Sequence, residues 1–464
     1  MISRSQAAWA ARSMSAVDTE TPVDPDSTII PSESSPYHKS TLDNGIRIVT
    51  GPMSGVRSAS LIFYFNVGSR FERPEVAGVS HFLEHMMFKG TERRPDPIMI
   101  SEEIEEVGGG LNAATGREST SYWCKVPSTH TAMAFDVMAD MLRGSVLSEM
   151  EMTKERKVIF EEIRSVQDIP EELVHDLTDE LVWGDDPLGR EIAGSEATVG
   201  SISREAMLDF WTRNYGPERL VVAAGGDVDH GDIVRLTEKA FGDLERREDR
   251  ADQYTPVTVA QDAPRVRVVN RPTEQAHLCL SLPAVSYRDE RRYAQSTIDS
   301  ILSSGMSSRL FQEIREKRGL VYSVFGYFRS YEDVGQGVVY AGCDLDRVHE
   351  ATEAILGELR KLRDVRVSDE EIIRNRELRK GRLLMGLEDS RSVASWVGAQ
   401  EATFGEIKTP EEVMEEIDAV SAEDVQALAH ELFRDDRLNL VVIGPYDDPA
   451  PFEQSLTFDA ATQK

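Results

Sequence analysis

Apolar residues in this chain fall into short blocks of two kinds. Gly45-Ile-Arg-Ile-Val49 and Ala59-Ser-Leu-Ile-Phe-Tyr-Phe65 are compact runs of strand type, and Ser119 to Val126 alternates with a period of two. Between them lie stretches with helical spacing. Val79 to Lys89 has no proline or glycine and stops at Gly90, where a helix can end. Pro97 to Val107 predicts a second helix, closed by Gly108-Gly109-Gly110, and His130 to Leu147 a long amphipathic one. An apolar block at Leu220–Ala224 predicts a strand ending in Gly225-Gly226.

Arg246 to Pro264 is charged and polar with two prolines, and reads as a linker. Beyond it the pattern repeats. Gln275–Leu282 alternates as Ala59–Phe65 does, and a helix is predicted around Tyr293–Leu302 at the place of the Val79 helix. Strands follow at Leu320–Phe325 and Gly337–Tyr340, then helices at His349–Leu362 and Ser421–Leu432, and a last strand at Leu438–Ile443. The order predicts an α+β fold of two similar domains, each a mainly antiparallel sheet packed with helices. The expected divisions are a disordered tail at 1–36, a first domain at 37–250, a linker at 251–264 and a second domain at 265–464.

A length of 464 residues suits several domains, and 40% apolar content is enough for real cores. The formal net charge of −30 argues against nucleic-acid binding, which needs clustered Lys and Arg. It suits cationic peptides, although a solubilising surface explains it as well. No run of 18 apolar residues is present to span a membrane. Cys124, Cys279 and Cys343 are odd in number and far apart, which predicts buried reduced thiols. Met1–Val17 carries Arg4 and Arg12 and no acid, a weak transit-peptide character, whereas Asp18–Pro36 is acidic and rich in Pro and Ser. The acidic body favours a bacterial cytoplasmic protein, with the mitochondrial matrix as the alternative.

The chemistry lies in His81-Phe-Leu-Glu84-His85, an H-x-x-E-H motif. Positions i and i+4 share a helix face, so both imidazoles can converge on one Zn²⁺ at roughly 2.0–2.1 Å. Glu84 projects to the same side and is placed to act on water rather than on the metal. Catalytic zinc takes a third protein ligand. The run Glu151–Gln167 offers Glu155 and Glu162, two turns apart on one face, although such a run is also what a solvated acidic helix looks like. The glycine triplet is not a phosphate loop, because it ends a helix and no Gly-Lys-Ser/Thr follows.

With Leu42-Asp-Asn-Gly45, Gly68-Ser-Arg70, Phe88-Lys-Gly-Thr91, Asn112-Ala113 and Leu188-Gly-Arg190, the chain resembles the M16 peptidases over nearly all of its length after about residue 37. This is the pitrilysin, insulysin and mitochondrial processing peptidase group. The resemblance implies two similar domains with metal only in the first. It implies His81, His85 and Glu162 as the zinc ligands, Glu84 as the base, and Glu155 as a residue orienting a ligand. It implies that Asn112 and Ala113 lie on a strand edge that pairs with extended substrate. Arg315 and Tyr322, in Ser307–Tyr322, match an Arg and a Tyr that the family brings to the first-domain site. There Arg315 would hold substrate and Tyr322 the developing oxyanion. Without the resemblance, Arg315 would pair with a nearby glutamate and Tyr322 would pack in a core. The family's chamber is closed by two two-domain units, so a second copy or a homologous subunit is expected as partner. The implied activity is a zinc metalloendopeptidase for short unfolded peptides. The alternatives are a presequence-processing subunit and a non-catalytic scaffold subunit.

Overall fold

In a computed structural model, residues 36–246, 251–258 and 260–458 are described. The tail expected at 1–36, save Pro36, lies outside the described residues. Six strands form the first sheet: β1 (His38–Thr41), β2 (Arg47–Pro52), β3 (Ser58–Phe65), β4 (Gly110–Thr115), β5 (Thr120–Pro127) and β6 (Leu220–Gly226). Their order is β1-β2-β6-β3-β5-β4, and only β2 and β6 run parallel. The second sheet has β7 (Arg265–Asn270), β8 (Ala276–Ala284), β9 (Val321–Ser330), β10 (Gly335–Cys343) and β11 (Asn439–Gly444) in the order β7-β11-β8-β10-β9. From β2 onward the first sheet has the same sequence of partners, including one parallel pair, here β7 with β11. The repeated hydrophobic pattern is thus a repeated α+β topology.

One face of each sheet is covered by helices of its own half. On the first sheet Phe63 of β3 meets Phe135 and Phe241 from two such helices, at 5.2 and 5.9 Å between ring centres. The opposite faces are covered by exchange. Helix Pro170–Trp183 of the first half lays Leu173 and Val174 on Cys279, Val338, Tyr340, Val441 and Ile443 of the second sheet. Helix Ser390–Phe404 of the second half lays Ala394 and Val397 on Val49, Ile62, Val221 and Ala223 of the first. Every residue of β6, β10 and β11 is buried as a result. That is why Leu220–Ala224 reads as an unbroken apolar block instead of an alternation.

The exchange needs close approach. A Cβ on Gly398 would lie 2.5 Å from the Tyr64 ring and 2.6 Å from the Ala223 side chain, and one on Gly225 would lie 2.5 Å from the Ser390 carbonyl oxygen. Asp252 and Tyr254 of the linker tie it to both halves. Asn214 donates to Asp252 at 2.8 Å, and the Tyr254 hydroxyl donates to Glu332 at 2.6 Å. All three cysteines are free and buried. Among the described residues no helix is long and apolar enough to cross a membrane.

His175, on the exchanged helix, sits among the rings of Phe325, Tyr327 and Tyr340, at 6.0, 5.6 and 5.5 Å between centres. Its Nδ1 shares a 2.8 Å hydrogen bond with the Tyr327 hydroxyl. Burial, and then the charge of Arg329, pull its pKa down to about 4. The unfolded chain therefore takes up this proton near pH 6.5 and the folded one only near 4, so stability falls as pH drops through that window. Urea titrations at pH 7 and pH 5 should show the wild type losing about 1–2 kcal/mol more than His175→Asn. Equal losses would mean that His175 is not held neutral. Gly398→Val should cost about 1–3 kcal/mol in the same titration at pH 7, by forcing the helix off the sheet.

Candidate metal centre

The motif helix, Val79–Met87, starts at Gly78. There φ is +94°, and a Cβ would meet the Ala193 carbonyl oxygen at 2.5 Å, so only glycine fits this turn into the helix. Val79, Phe82, Leu83 and Met86 face the core. The other face carries His81 and His85, whose rings are 4.5 Å apart between centres. Glu162 comes from helix Glu149–Asp168, which packs against the motif helix through Met152, Glu155, Ile159 and Ile163.

The two Nε2 atoms are 3.2 Å apart, and Glu162 Oε2 lies 3.9 Å from that of His81 and 3.8 Å from that of His85. His81, His85 and Glu162 are the one group of three metal-ligating side chains found among the described residues. Ligands at about 2.05 Å in a tetrahedron stand roughly 3.3 Å apart, so a zinc ion fits between the three with a small inward turn of the carboxylate. The donor set, two neutral-capable imidazoles and one half-exposed carboxylate, also suits zinc.

The two glutamates left open by their spacing separate here. Glu162 faces the Nε2 pair. Glu155 Oε1 is 2.8 Å from His85 Nδ1, and its Oε2 is 2.7 Å from Lys89 Nζ. Accepting from Nδ1–H leaves the His85 Nε2 lone pair directed at the cluster. Burial works to raise the Glu155 pKa, but the hydrogen bonds from His85 and Lys89 outweigh it and hold the carboxyl below its ordinary range. At His85 burial lowers the pKa, and the hydrogen bond to Glu155 with the neighbouring carboxylates more than reverses it. At His81 burial, then His85, pull the pKa down to about 4, and its Nδ1 is buried without a protein partner.

Glu84 does not join the three. Its Oε2 accepts a hydrogen bond from the Thr115 hydroxyl at the end of β4, and burial raises its pKa above the usual carboxylate range. A carboxylate with enhanced proton affinity beside a metal centre is equipped to act as a base. β4 is the outer strand of its sheet, with Asn112 and Ala113 opposite Trp123 and Tyr122 of β5. Asn112 is exposed, and its Oδ1 accepts the Ala113 N–H at 2.8 Å. Both residues thus lie on an outer sheet strand whose end, Thr115, is bonded to Glu84.

Beside the cluster opens a cavity of about 920 Å³ lined by both halves, with His81 and Glu162 on one wall and Arg329 and Glu332 on the other. Asp176, Asp179 and Glu191 also line it. Burial, then Asp179, raise the Asp176 pKa to about 6, and burial, then Asp176, raise that of Glu191 to about 7. None of these acids stands in a sequence motif. The exchanged helix that brings in two of them could have been read only from its Pro170-Glu-Glu start.

Arg315 and Tyr322 are not brought to this cluster. The Arg315 guanidinium lies 5.0 Å from the Phe311 ring centre, and Tyr322 is 76% exposed at the start of β9. The reading without the resemblance fails as well: among the described residues Arg315 makes no ion pair, and Tyr322 is in no core. Tyr322 and Ser330 stand at opposite ends of β9, about 26 Å of strand apart, and it is Ser330 that lines the cavity, while Arg315, before the strand, is not among the lining residues.

Residues 47–196 match the family model described as insulinase (peptidase family M16), and residues 201–378 match the peptidase M16 inactive domain. An uncharacterized zinc protease of Streptomyces coelicolor is 39% identical over 88% of this chain and 90% of its own. One of Bacillus subtilis is 36% identical over 87% of this chain and 97% of its own. The crystal structure of a protease from Helicobacter pylori superposes with a TM-score of 0.84 at 22% identity, covering 88% of this chain and 99% of that one. A peptidase M16 inactive domain from Pseudomonas fluorescens gives 0.81 at 16% identity, covering 89% and 98%. The chain belongs to the M16 peptidase family.

Glu155→Ala should weaken zinc retention about 10–100-fold, because it frees the ring of His85. Competition with a chromogenic chelator would read this, and retention equal to wild type would refute the orienting role of Glu155.

Proposed function

We propose that this protein is a zinc-dependent endopeptidase acting on short unfolded peptides. The observation that carries the reading is the convergence of His81, His85 and Glu162 beside a separately held Glu84. Zinc, when bound by these three, supplies Lewis acidity to the scissile carbonyl and to water. Glu84 takes a proton from the attacking water and delivers it to the leaving amine. Thr115 keeps the Glu84 carboxylate turned to the free edge of β4, where an extended peptide would pair past Asn112 and Ala113. Pairing through the backbone reads peptide shape and leaves side-chain preference to the cavity. The acids there favour peptides with basic residues, since a cation offsets the burial and, after it, the mutual repulsion that hold Asp176 and Glu191 up. The three reduced buried thiols suit a reducing compartment such as the bacterial cytoplasm.

The reading extends to a second copy of the chain, or a homologous subunit. Neither Tyr322 nor Arg315 lines the cavity beside the cluster, and the exposed Tyr322 is available to a neighbouring chain, which supports this reading. From a partner, Tyr322 would donate to the oxyanion and Arg315 would hold substrate.

Glu84→Gln should keep its zinc and lower kcat by about 10²–10⁴-fold, tested on a mixed peptide library with fragments read by mass spectrometry. Wild-type cleavage should stop with a chelator and return with zinc. Scattered cuts mark a general endopeptidase, whereas discrete cuts in presequences mark a processing subunit. Folded, zinc-loaded protein that cleaves nothing would support the scaffold reading. Tyr322→Phe should be slow alone. Mixed with Glu84→Gln it should recover up to about a quarter of wild-type activity, because half the chains pair across and each such pair has one intact site. No recovery despite subunit exchange would remove Tyr322 from the partner's site.

A further inference from the structure

The largest fully buried side chain belongs to a cation, Arg70. Its guanidinium is gripped as a fork by Asp333, with both contacts at 2.7 Å, and by Glu118 at 2.6 Å. The Tyr254 ring covers it at 3.8 Å. Asp333 belongs to the second half, in the turn between β9 and β10, and it also accepts the Val257 N–H at 2.7 Å. Arg70 belongs to the first half and follows Gly68, at which a Cβ would lie 2.2 Å from the Gly116 carbonyl oxygen. The backbone here is pinned a second time, Ser69 N–H to Gly116 at 3.1 Å and Arg70 N–H to Arg117 at 2.8 Å. Gly116 directly follows Thr115, the partner of Glu84.

Two residues beyond Arg70, Glu72 is buried and faces the opposite way. Its carboxylate accepts the Gly78 N–H at 2.8 Å and the Ser80 N–H at 2.7 Å. These are orphan donors of the motif helix, whose N-cap, Gly78, has no side chain to satisfy them. A carboxylate there also lies at the positive end of the helix. Ser80 immediately precedes His81. Five residues, Gly68–Glu72, therefore join three things: the second half, the end of β4, and the first turn of the helix that carries the metal-ligating pair.

We infer that Asp333 is a positioning residue for the metal centre, acting through Arg70 and Glu72. This rests on the metal-centre reading proposed above. Asp333 holds Arg70, Arg70 holds the short loop, and Glu72 sets the height and rotation of the motif helix against Glu162. Metal ligands tolerate displacements of only about 0.2 Å, so a loop that loses one of its three anchors costs metal affinity before it costs fold. It gives the half without metal ligands a defined part in the site.

The test is zinc affinity, read by chelator competition on purified variants with wild-type near-ultraviolet circular dichroism. Glu72→Gln replaces one accepting oxygen with a donor and should weaken zinc about 10–100-fold. Asp333→Asn, on the other half, should weaken it about 3–10-fold. In the double variant the two losses should not multiply, because they lie on one path. Glu371→Gln is the control. It breaks an ion pair with Arg309 (2.9 and 2.6 Å) elsewhere in the second half and should leave zinc affinity unchanged. Arg70→Lys keeps the buried charge but loses the fork, and takes the place of Asp333→Asn if that variant does not fold. Zinc affinity equal to wild type in Asp333→Asn, or an equal loss in Glu371→Gln, or fully multiplicative losses, overturns the inference. A wild type that holds no zinc overturns instead the metal-centre reading itself.

Discussion

A sheet with two apolar faces needs two covers, and each half of this chain supplies its own sheet with only one. The second comes from the other half, as helix Pro170–Trp183 on the second sheet and helix Ser390–Phe404 on the first. Burying a Val or Leu of this kind is worth about 1.5–3 kcal/mol, and each exchanged helix buries several such contacts together with the strands beneath. Neither half can be removed without opening a face of the other. The cavity beside the metal-ligating cluster depends on this, since both exchanged helices contribute to its walls alongside His81, Glu162 and the end of β9.

The same dependence decides what can be read in the chain. His81 and His85 are legible because i and i+4 is a local relation that any helix enforces. Strands such as Leu220–Ala224 are legible because burial on both faces leaves an apolar block. The exchanged helices are not. Their inward faces are matched to a sheet in the other half of the chain and carry His175, Asp179 and Gly398 alongside the apolar residues, so the pattern is diluted. Glu155 and Glu162 show the boundary within one element. Their spacing puts both on the face toward the histidines, but which nitrogen each meets depends on Lys89 and on the tilt between two helices. Thr115 and Glu72 carry no signal, and Arg70 none of its role beyond its place in Gly68-Ser-Arg70, because the side-chain partners they have lie on other elements.

The two imidazoles are held differently, and the difference follows from the same packing. His85 is clamped through Nδ1 by a glutamate that is itself held by a lysine. Among the described residues the Nδ1 of His81 meets no hydrogen-bond partner, and the one ring in contact with its own is that of His85. One imidazole is therefore oriented by a carboxylate partner and the other by the position of its helix. Whatever holds the start of that helix has more influence on the centre than the distance from it suggests. Glu72 is that hold, and the buried Arg70 two residues before it connects the hold to the half of the molecule that has no metal ligands. A buried guanidinium is costly to leave without its carboxylate partners, which is why this contact is held by both Asp333 and Glu118. Thus the half that contributes no side chain to the cluster is still packed and hydrogen-bonded to the loop that precedes it.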